Sequence, residues 1–515
     1  MVFIIMQGEK GEIMKNYFNS TRNKTLHTSV KDAILQGLAP DGGLYVTDTL
    51  GHTVLNLNDL LPMTYEEMAP IILSALLPGF TTNELETAVF HAYHNSFSSK
   101  EVTPVVSIDE DKNFLLELFH GPTSAFKDVA LQMLPQLMSL ALKNQGDKQV
   151  MILAATSGDT GKAALCGFQD VPRTGILVFY PKDGTSAIQR LQMETQEGSN
   201  TSVCALIGNF DDAQSKVKEL FHSPSLLTLC DEKNILFSSA NSINIGRLAP
   251  QAVYYFYSYF QLVKRGKIAL GDEIDFCVPT GNFGDILAGY YAKLLGLPVH
   301  KLIVASNANN VLTDFFTTGT YDRRRPFHKT LSPSMDILIS SNLERLLYYM
   351  SGNDDVYTKE LMDSLQENGH YTIKPSLLAK LKETFYAGYC TDEQCKQEIH
   401  TVYEEQNYVL DPHTAVGYHV MKQYQQEAKE QRPCILLSTA SPYKFCGQVY
   451  EAITGTLPEA DEFALMELLS EKTNTEIPKN LSELKEKSIL HNTVISKEDM
   501  DSYVLEKTKE LFMKR

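Results

Sequence analysis

The chain of 515 residues has no long apolar run. Its apolar opening, residues 1–6, is too short for the core of a signal peptide, and the acidic residues Glu9 and Glu12 follow it. No other apolar stretch approaches the roughly 20 residues that a transmembrane helix needs. The sequence therefore predicts a protein without a membrane span, and it predicts a disordered tail over residues 1–14.

An excess of positive charge is also absent. Lys and Arg number 46 against 63 Asp and Glu, and the formal net charge is −17. This balance argues against nucleic acid or an anionic membrane as the main partner. An anionic small substrate stays compatible with it, because a few arginines and lysines can reverse the field inside one cleft.

The eight cysteines show no metal-binding spacing. No pair has the C-x-x-C pattern and no cluster of histidine and cysteine completes a zinc site, so we predict no metal. Scattered thiols of this kind are usually buried and inert. They are typical of a reducing compartment, and we expect the protein in the cytoplasm.

The pattern of elements indicates several domains. Residues 15–105 are mainly helical in pattern, with one short strand near 44–46, and they predict a separate N-terminal domain. Apolar runs then alternate with helical patterns, which is typical of α/β units around mostly parallel sheets. The region 312–430 is more polar and lacks clear strands, which favours a helical elaboration. The predicted strands are 150–154, 175–180, 203–207, 235–237, 276–278, 302–305 and 435–438. The predicted helices are 162–169, 187–196, 213–221, 245–260 and 286–295.

Residues 120–128 (HGPTSAFKD) place a single lysine, Lys127, after an apolar strand and a Gly-Pro turn. An amine attacks an aldehyde only when it is neutral, and the ordinary pKa of lysine is about 10.4. Burial and a nearby cation lower that pKa, which makes Lys127 a candidate Schiff-base nucleophile. On position alone, a surface lysine at a helix start is the more common situation, so the case depends on the other motifs.

Two glycine-rich turns supply that support. Residues 280–285 (TGNFGD) and 157–161 (SGDTG) each follow an apolar run and open a helical pattern. Glycine lets the backbone approach an anion closely, and the free N–H groups of a helix start donate to phosphate or carboxylate oxygens. Ordinary tight turns, or a helix start with Asp159 facing its dipole, are the alternatives.

A third segment, residues 438–445 (STASPYKF), follows the last strand. A hydroxyl here is a candidate partner for a pyridine nitrogen, and a hydroxyl would leave that nitrogen unprotonated. Elimination and replacement are then favoured over transamination. A plain strand-end turn is the alternative. Together, Lys127 and these turns predict a site for pyridoxal 5′-phosphate.

Five segments in the same order and at similar spacing resemble the threonine synthase family. They are residues 36–45 (QGLAPDGGLY), 120–128, 155–162 (ATSGDTGK), 239–247 (SANSINIGR) and 280–285. The resemblance is to the longer form, which has its own N-terminal domain, and it covers about residues 15–450.

The resemblance implies the fold type II architecture of pyridoxal-phosphate enzymes, which is similar to the tryptophan synthase β chain. Two α/β domains surround the cofactor cleft, and an N-terminal domain and a helical elaboration are added. The implied domains are residues 15–105, a large cofactor-binding domain of 106–134 and 205–515 with its helical insertion at 312–430, and a small α/β domain of 135–204.

The resemblance also implies roles for particular residues. Lys127 would form the Schiff base, and Thr439 would contact the pyridine nitrogen. The cofactor would further be held by Gly281, Asn282, Phe283, Gly284 and Asp285. The substrate O-phospho-L-homoserine would be bound by Ser157, Gly158, Asp159, Thr160, Lys182, Asn244 and Arg247, among which Lys182 and Arg247 are the cations for its phosphate. Asn342 and Arg345 could also reach the cleft, but a charged surface helix is the better explanation of these two residues.

The implied reaction is that of a carbon–oxygen lyase, which converts O-phospho-L-homoserine and water into L-threonine and phosphate. Release of phosphate with 2-oxobutyrate as product, a dehydratase, and an inactive relative that only binds ligands are the alternatives. We expect a monomer or homodimer. Two departures from the family pattern stand out: Ser441 replaces a histidine, and Asp159 stands where related enzymes often have asparagine, which leaves the partner of the cofactor 3′-oxygen open.

Overall fold

The computed structural model describes residues 17–513, except for 110–111, 157, 183, 209–212, 214–215, 218 and 222. The predicted tail, residues 1–14, therefore lies outside the described residues. Among the helices of the described part, none is long and apolar enough to cross a membrane.

The N-terminal part combines a small sheet with four helices. Strands β1 (Tyr17–Ser20), β2 (Asn23–Ser29) and β3 (Tyr45–Val46) form an antiparallel sheet in the order β2-β1-β3. The sequence predicted only the third strand, because the partly exposed β2 is mostly polar and contains no apolar run. The helices of this part are Val30–Gln36, Leu57–Leu60, Tyr65–Leu76 and Thr82–Tyr93.

The first of these helices begins and ends at the signals that its sequence carries. Ser29 accepts a hydrogen bond from the N–H of Asp32, and Gly37 ends the helix with φ of 74°. The next two long helices each begin with a reciprocal capping box, Thr64 with Glu67 and Thr81 with Glu84. The helical prediction for this part is confirmed.

A second sheet has five parallel strands in the order β16-β8-β7-β6-β9. The strands are β6 (Gln149–Ala155), β7 (Thr174–Pro181), β8 (Thr201–Leu206), β9 (Ile235–Ser238) and β16 (Val494–Ile495). The sheet thus extends beyond the 135–204 predicted for the small domain, since it takes β9 and a strand near the end of the chain. With two residues and partial exposure, β16 leaves no apolar run in the sequence. Its helices are Asp159–Phe168, Ala187–Glu194, Pro224–Lys233 and Met500–Met513, whereas the predicted helix 213–221 lies partly outside the described residues.

The third sheet has six strands in the order β14-β11-β10-β15-β5-β4, and all its pairs are parallel except β4 with β5. The strands are β4 (Val105–Ser107), β5 (Asn113–Glu117), β10 (Ile274–Pro279), β11 (Val299–Ser306), β14 (Phe385–Tyr389) and β15 (Cys434–Ser438). A separate antiparallel pair consists of β12 (Thr320–Asp322) and β13 (His370–Thr372). The prediction that 312–430 lacks clear strands is therefore wrong. The strands β12, β13 and β14 leave no clear signal in the sequence because they are short and mixed in polarity.

Helices around this sheet complete the α/β arrangement that the alternating pattern predicted. One predicted helix, 245–260, is divided in the structure by a 3-10 turn, Ala249–Gln251, because Pro250 has no N–H to donate within a helix. The α-helices are Lys127–Leu142, Ile245–Leu248, Ala252–Lys264, Gly284–Leu294, Val311–Thr318, Leu343–Met350, Asp355–Asn368, Pro375–Thr384, Asp392–Gln406, Pro412–Ala428, Cys446–Thr454, Glu462–Thr473 and Lys479–Ser482. The short 3-10 helices Pro333–Met335, Pro442–Phe445 and Glu483–Glu486 connect some of them.

Candidate functional site

A cavity of about 730 Å³ lies where the carboxyl ends of the two large sheets meet. Its wall includes the loops that follow β5, β6, β9, β10 and β15, residues of the N-terminal part, several residues of 321–371, and His413. Loops at the carboxyl ends of parallel strands are the usual place for a ligand in α/β folds. Polar side chains of the wall discussed below are Lys127, Thr156, Asp159, Thr160, Arg247, Ser334, His413 and Thr439.

Lys127 is the first residue of its helix and is 7% exposed. Its Nζ donates to Ser334 Oγ at 3.2 Å and lies 3.5 Å from Asp159 Oδ2. Burial lowers the pKa of this amine; the Asp159 carboxylate opposes that effect, and the positive charges of Arg247 and Lys444 add to it. The net direction is downward, which favours the neutral amine that a nucleophile requires.

The loop before Lys127 is fixed to the loop after β15. Ala125 and Ala440 form an isolated antiparallel bridge, and the N–H of Phe126 donates to the carbonyl oxygen of Thr439 at 2.8 Å. Thr439 therefore lies next to the lysine in the cavity wall. No described residue forms a hydrogen bond with the Thr439 hydroxyl, so this group is available to a ligand.

Asp159 lies between two lysines. Its Oδ1 is 2.6 Å from Lys444 Nζ and accepts a hydrogen bond from Gln189 Nε2 at 2.9 Å, while its Oδ2 faces Lys127. Burial alone would raise the pKa of this carboxyl, but Lys444 and Lys127 outweigh burial and hold it well below its ordinary value. Asp159 is thus an anion inside the protein.

Lys444 was missed by the sequence analysis. Residues 438–445 predicted only a hydroxyl partner, although Lys444 follows the carboxyl end of a strand, as Lys127 does. The Lys444 side chain is completely buried, and its Nζ also donates to the carbonyl oxygen of Thr123 at 3.0 Å. A lysine within a mostly uncharged, strand-end segment was the signal that could have revealed it.

The glycine-rich loop after β10 forms a helix start that faces the cavity. Phe283 has φ of 63°, and the helix begins at Gly284. A Cβ at Gly281 would lie 2.8 Å from the carbonyl oxygen of Ser334, so the close approach of these two loops requires glycine. The loop is fixed by Asn342, whose N–H and Nδ2 both donate to the carbonyl oxygen of Asn282 at 3.0 Å. Helix starts leave N–H groups without intrahelical partners, and these suit a phosphate group.

Asp285, in the first turn of that helix, is held by two tyrosines. Its Oδ1 accepts hydrogen bonds from Tyr254 at 2.5 Å and Tyr255 at 3.0 Å. Burial raises the pKa of Asp285 to about 6, against the lowering effect of the two tyrosines. Within the described part of the chain, its Oδ2 has no hydrogen-bond partner, although it is buried.

In the turn after β6, Ser157 lies outside the described residues. Thr156 Oγ1 accepts hydrogen bonds from the N–H groups of Gly158, at 2.9 Å, and Gly161, at 3.0 Å. Gly158 has φ of 153° and is not part of the cavity wall, whereas Asp159 and Thr160 are. A Cβ at Gly158 would lie 2.4 Å from the Gln189 side chain, which explains the glycine there.

The two predicted phosphate-binding cations are in different places. Arg247 is 5% exposed, lines the cavity and donates from Nη1 to the carbonyl oxygen of Ala240 at 2.7 Å. Among the residues that the structure describes, no carboxylate lies within 4.0 Å of it, and burial lowers its pKa to about 10. Lys182 is exposed and lies outside the cavity wall. The structure therefore brings Arg247, but not Lys182, together with Lys127.

Three other candidates are used in packing. Asn244 Nδ2 donates to the carbonyl oxygens of Ile34 at 2.9 Å and Ser239 at 3.1 Å, and Arg345 donates to those of Tyr45 and Ile243. Neither Asn244 nor Arg345 is part of the cavity wall. Asn244 and Arg345 thus join the N-terminal part to the loops around the cavity, whereas Asn342 holds the loops that contain Ser242 and Asn282.

His413 also lines the cavity and was not predicted. Its Nδ1 lies 2.8 Å from Asp411 Oδ1, and its Nε2 accepts the N–H of Ser334 at 3.2 Å. The histidine thereby fixes the serine that receives the hydrogen bond of Lys127. Ser441 stands where the family pattern has a histidine. In this chain its hydroxyl caps the 3-10 helix that follows it.

Comparison with known proteins gives a consistent result along the chain. Residues 17–93 match the family described as "Threonine synthase N terminus", residues 100–439 that described as "Pyridoxal-phosphate dependent enzyme", and residues 414–500 that described as "Threonine synthase, C-terminal". The chain is 36% identical to threonine synthase of Saccharomyces cerevisiae over 85% of this chain and 89% of the yeast protein. It is 39% identical to human threonine synthase-like 1 over 82% of this chain, but it spans only 58% of the length of that relative.

Solved structures agree with these matches. The crystal structure of threonine synthase from yeast superimposes with a TM-score of 0.85 and 34% identity, over 97% of this chain and 100% of that chain. The structure of PLP-bound threonine synthase from Brucella melitensis gives a TM-score of 0.83 and 36% identity, over 96% and 99%. The predicted fold type II architecture is confirmed by these similarities.

Proposed function

Because the chain belongs to the threonine synthase family of pyridoxal-phosphate-dependent enzymes, we propose that it converts O-phospho-L-homoserine and water into L-threonine and inorganic phosphate. One observation carries the proposal. The buried amine of Lys127 lies in a cavity whose wall also contains a glycine-rich helix start and Arg247, a buried cation that pairs with no carboxylate of the described residues.

The residues present fit pyridoxal phosphate. Lys127 supplies an amine for its aldehyde, Thr439 supplies a free hydroxyl for its ring nitrogen, and the loop Gly281–Gly284 supplies N–H groups for its phosphate. The contact that Gly281 makes with the Ser334 carbonyl would be blocked by any side chain, which supports a loop shaped for close approach. When bound, the cofactor supplies an electron-withdrawing ring that stabilises negative charge on substrate carbons.

Arg247 is our first choice for the substrate phosphate. A buried guanidinium without a carboxylate partner favours an anion, and it offers paired N–H donors to phosphate oxygens. Lys182 stays a weaker candidate because it is exposed and away from the cavity. We assign the substrate carboxylate to the turn that contains Gly158, Asp159 and Thr160. Asp159 and Thr160 both line the cavity, but Asp159 is already paired with two lysines, so Thr160 is the side chain that we assign to the carboxylate.

Lys127 is placed to move protons as well. With substrate bound, its amine would take protons from the substrate Cα and Cβ and return protons to Cα and Cγ. Phosphate leaves from Cγ, and water adds at Cβ to give the threonine hydroxyl. The burial of Lys127 limits the access of bulk water to these carbons.

We further infer that the part built on the five-stranded sheet is a small domain that covers the cleft from one side. Asp159 of that part contacts Lys444 and Lys127 of the part built on the six-stranded sheet, and Gln189 of the small part holds Asp159 in place. All eight cysteines are unpaired, which supports the proposed cytoplasmic location. The proposal includes a monomer or homodimer and no nucleic-acid partner.

Product analysis tests the proposed function. The purified chain is supplied with pyridoxal phosphate and O-phospho-L-homoserine, and threonine, 2-oxobutyrate and phosphate are quantified. We expect threonine and phosphate in equal amounts. Phosphate with 2-oxobutyrate but no threonine would establish the alternative phospho-lyase. Absence of all three products would refute both.

A further inference from the structure

We propose that Lys444 is a positioning residue, which keeps the Lys127 amine reactive by compensating the negative charge of Asp159. The inference depends on the proposed function only in taking Lys127 as the reactive lysine. Lys444 is not in the cavity wall, so it acts through Asp159 and not through contact with a ligand.

The contacts form a short chain of charges. Lys444 Nζ is 2.6 Å from Asp159 Oδ1, whereas Lys127 Nζ is 3.5 Å from Asp159 Oδ2. The carboxylate is therefore bound more closely to Lys444 than to Lys127. Thr123 fixes Lys444 from the other side through its carbonyl oxygen, and Gln189 fixes Asp159. Each member of the pair thus has a second contact that holds it in place.

Charge compensation follows from this geometry. An uncompensated carboxylate within about 4–6 Å of a buried ammonium raises the pKa of the amine by about 1–3 units. Beside Lys444 the Asp159 carboxylate is nearly neutralised, and burial then dominates the pKa of Lys127, which is lowered. Without Lys444, Asp159 would pair with Lys127 alone and hold it in the protonated form, which cannot attack an aldehyde.

Other charged groups near Lys127 do not replace this pair. Arg247 is a cation and acts in the same direction as Lys444. Asp285 is bonded to Tyr254 and Tyr255, and its pKa of about 6 is already raised by burial. Asp128, the next residue on the same helix, is bonded to Thr123 through both carboxylate oxygens.

His413 reaches Lys127 only through Ser334. Within the described residues, Asp159 is the carboxylate that lies within 4.0 Å of Lys127 Nζ. The state of Asp159 is therefore the main local control over the charge of the reactive amine.

The test measures the reactivity of Lys127 in the full-length chain from which the cofactor has been removed, with circular dichroism to check that the fold is kept. Trace acetylation with acetic anhydride between pH 6 and about 11, followed by peptide mass spectrometry, gives the apparent pKa of each lysine. We expect Lys444→Met to raise the apparent pKa of Lys127 by about one unit or more. Lys444→Arg keeps the charge and should leave it close to the wild-type value. Lys422→Met removes a different ion pair, with Glu398, and serves as the matched control.

A second comparison keeps the inference testable if Lys444→Met does not fold. Replacing both members of a buried ion pair is tolerated better than removing one. In the double variant Asp159→Asn with Lys444→Met, the apparent pKa of Lys127 should be lower than in Lys444→Met. If Lys444→Met is insoluble, the double variant is compared with Lys444→Arg instead. Its apparent pKa of Lys127 should then exceed the Lys444→Arg value by less than about one unit.

Cofactor capture gives an independent readout. The rate at which the stripped chain binds pyridoxal phosphate should fall at least fivefold at pH 7 in Lys444→Met and recover at higher pH. An unchanged pKa of Lys127 in a folded Lys444→Met chain would overturn the inference, as would a slow capture rate that does not recover with pH. Neither result depends on which product the enzyme makes, so failure of the proposed function would be recognised separately.

Discussion

Replacement of Arg247 by methionine tests whether this residue binds the substrate phosphate. The guanidinium donates to one carbonyl oxygen, that of Ala240, and it has no carboxylate partner among the described residues. Its other donors are thus available to a ligand. Methionine fills most of the volume of the arginine stem and removes the charge.

The expected magnitude follows from one lost charge-assisted hydrogen bond. Such a bond contributes about 1.5–3 kcal/mol, and each 1.4 kcal/mol is about a tenfold change in an equilibrium constant. The KM for O-phospho-L-homoserine should therefore rise roughly 10- to 150-fold in Arg247→Met, and inhibition by inorganic phosphate should weaken by a similar factor. Arg247→Lys keeps a charge but loses the paired N–H donors of the guanidinium, so its KM should lie between those of the wild type and Arg247→Met.

Stability separates this effect from a loss of folding. Burial lowers the pKa of Arg247 to about 10, so at neutral pH the charged form is disfavoured in the folded protein relative to the unfolded chain. Replacing Arg247 by methionine should therefore leave the free energy of unfolding unchanged or increase it. Arg265→Met, which removes a half-exposed arginine that donates to Val105, is the control for a general change of charge. The reasoning fails if Arg247→Met keeps both the wild-type KM and the wild-type inhibition by phosphate.

Three further outcomes are expected. Lys127→Ala should abolish turnover and the visible absorbance of the loaded protein, whereas Lys143→Ala at the end of the same helix should change neither; a turnover near wild type in the first variant would rule out its role. Thr439→Asp should protonate the cofactor ring and increase 2-oxobutyrate relative to threonine, and an unchanged rate and product ratio in Thr439→Val would show that the hydroxyl contacts nothing of importance. Turnover in deuterium oxide should place solvent deuterium at Cα and in the γ-methyl group of threonine, as measured by NMR, because protons are exchanged at both carbons; a methyl group free of deuterium would exclude elimination at Cγ.

Sequence alone predicted the local parts of the candidate site. Two features could be recognised because their signals lie within a few consecutive residues. They are the loop Gly281–Gly284 and Lys127 at the start of the helix Lys127–Leu142. A strand, a glycine that permits close approach or positive φ, and a helix start are all encoded locally. The alternation of strands and helices, and hence the α/β class, was available for the same reason.

Edge strands and long-range contacts were not available in this way. Strands β2 and β16 carry no apolar run, because one is partly exposed and the other has only two residues. The family resemblance implied a substrate-binding role for Asn244, but its amide donates to the carbonyl oxygen of Ile34 in the N-terminal part. Lys182 directly follows the strand Thr174–Pro181, but its side chain lies at the surface.

The sequence by itself determined the α/β class, the family and the position of the reactive lysine in the chain, since each rests on short, contiguous signals. Only the tertiary structure decided which charges share the cavity. It buried Arg247 away from every carboxylate that the structure describes, and it placed Lys444 beside Asp159. Burial and charge pairing are properties of residues far apart in the chain, because they arise only when separate elements pack and exclude water.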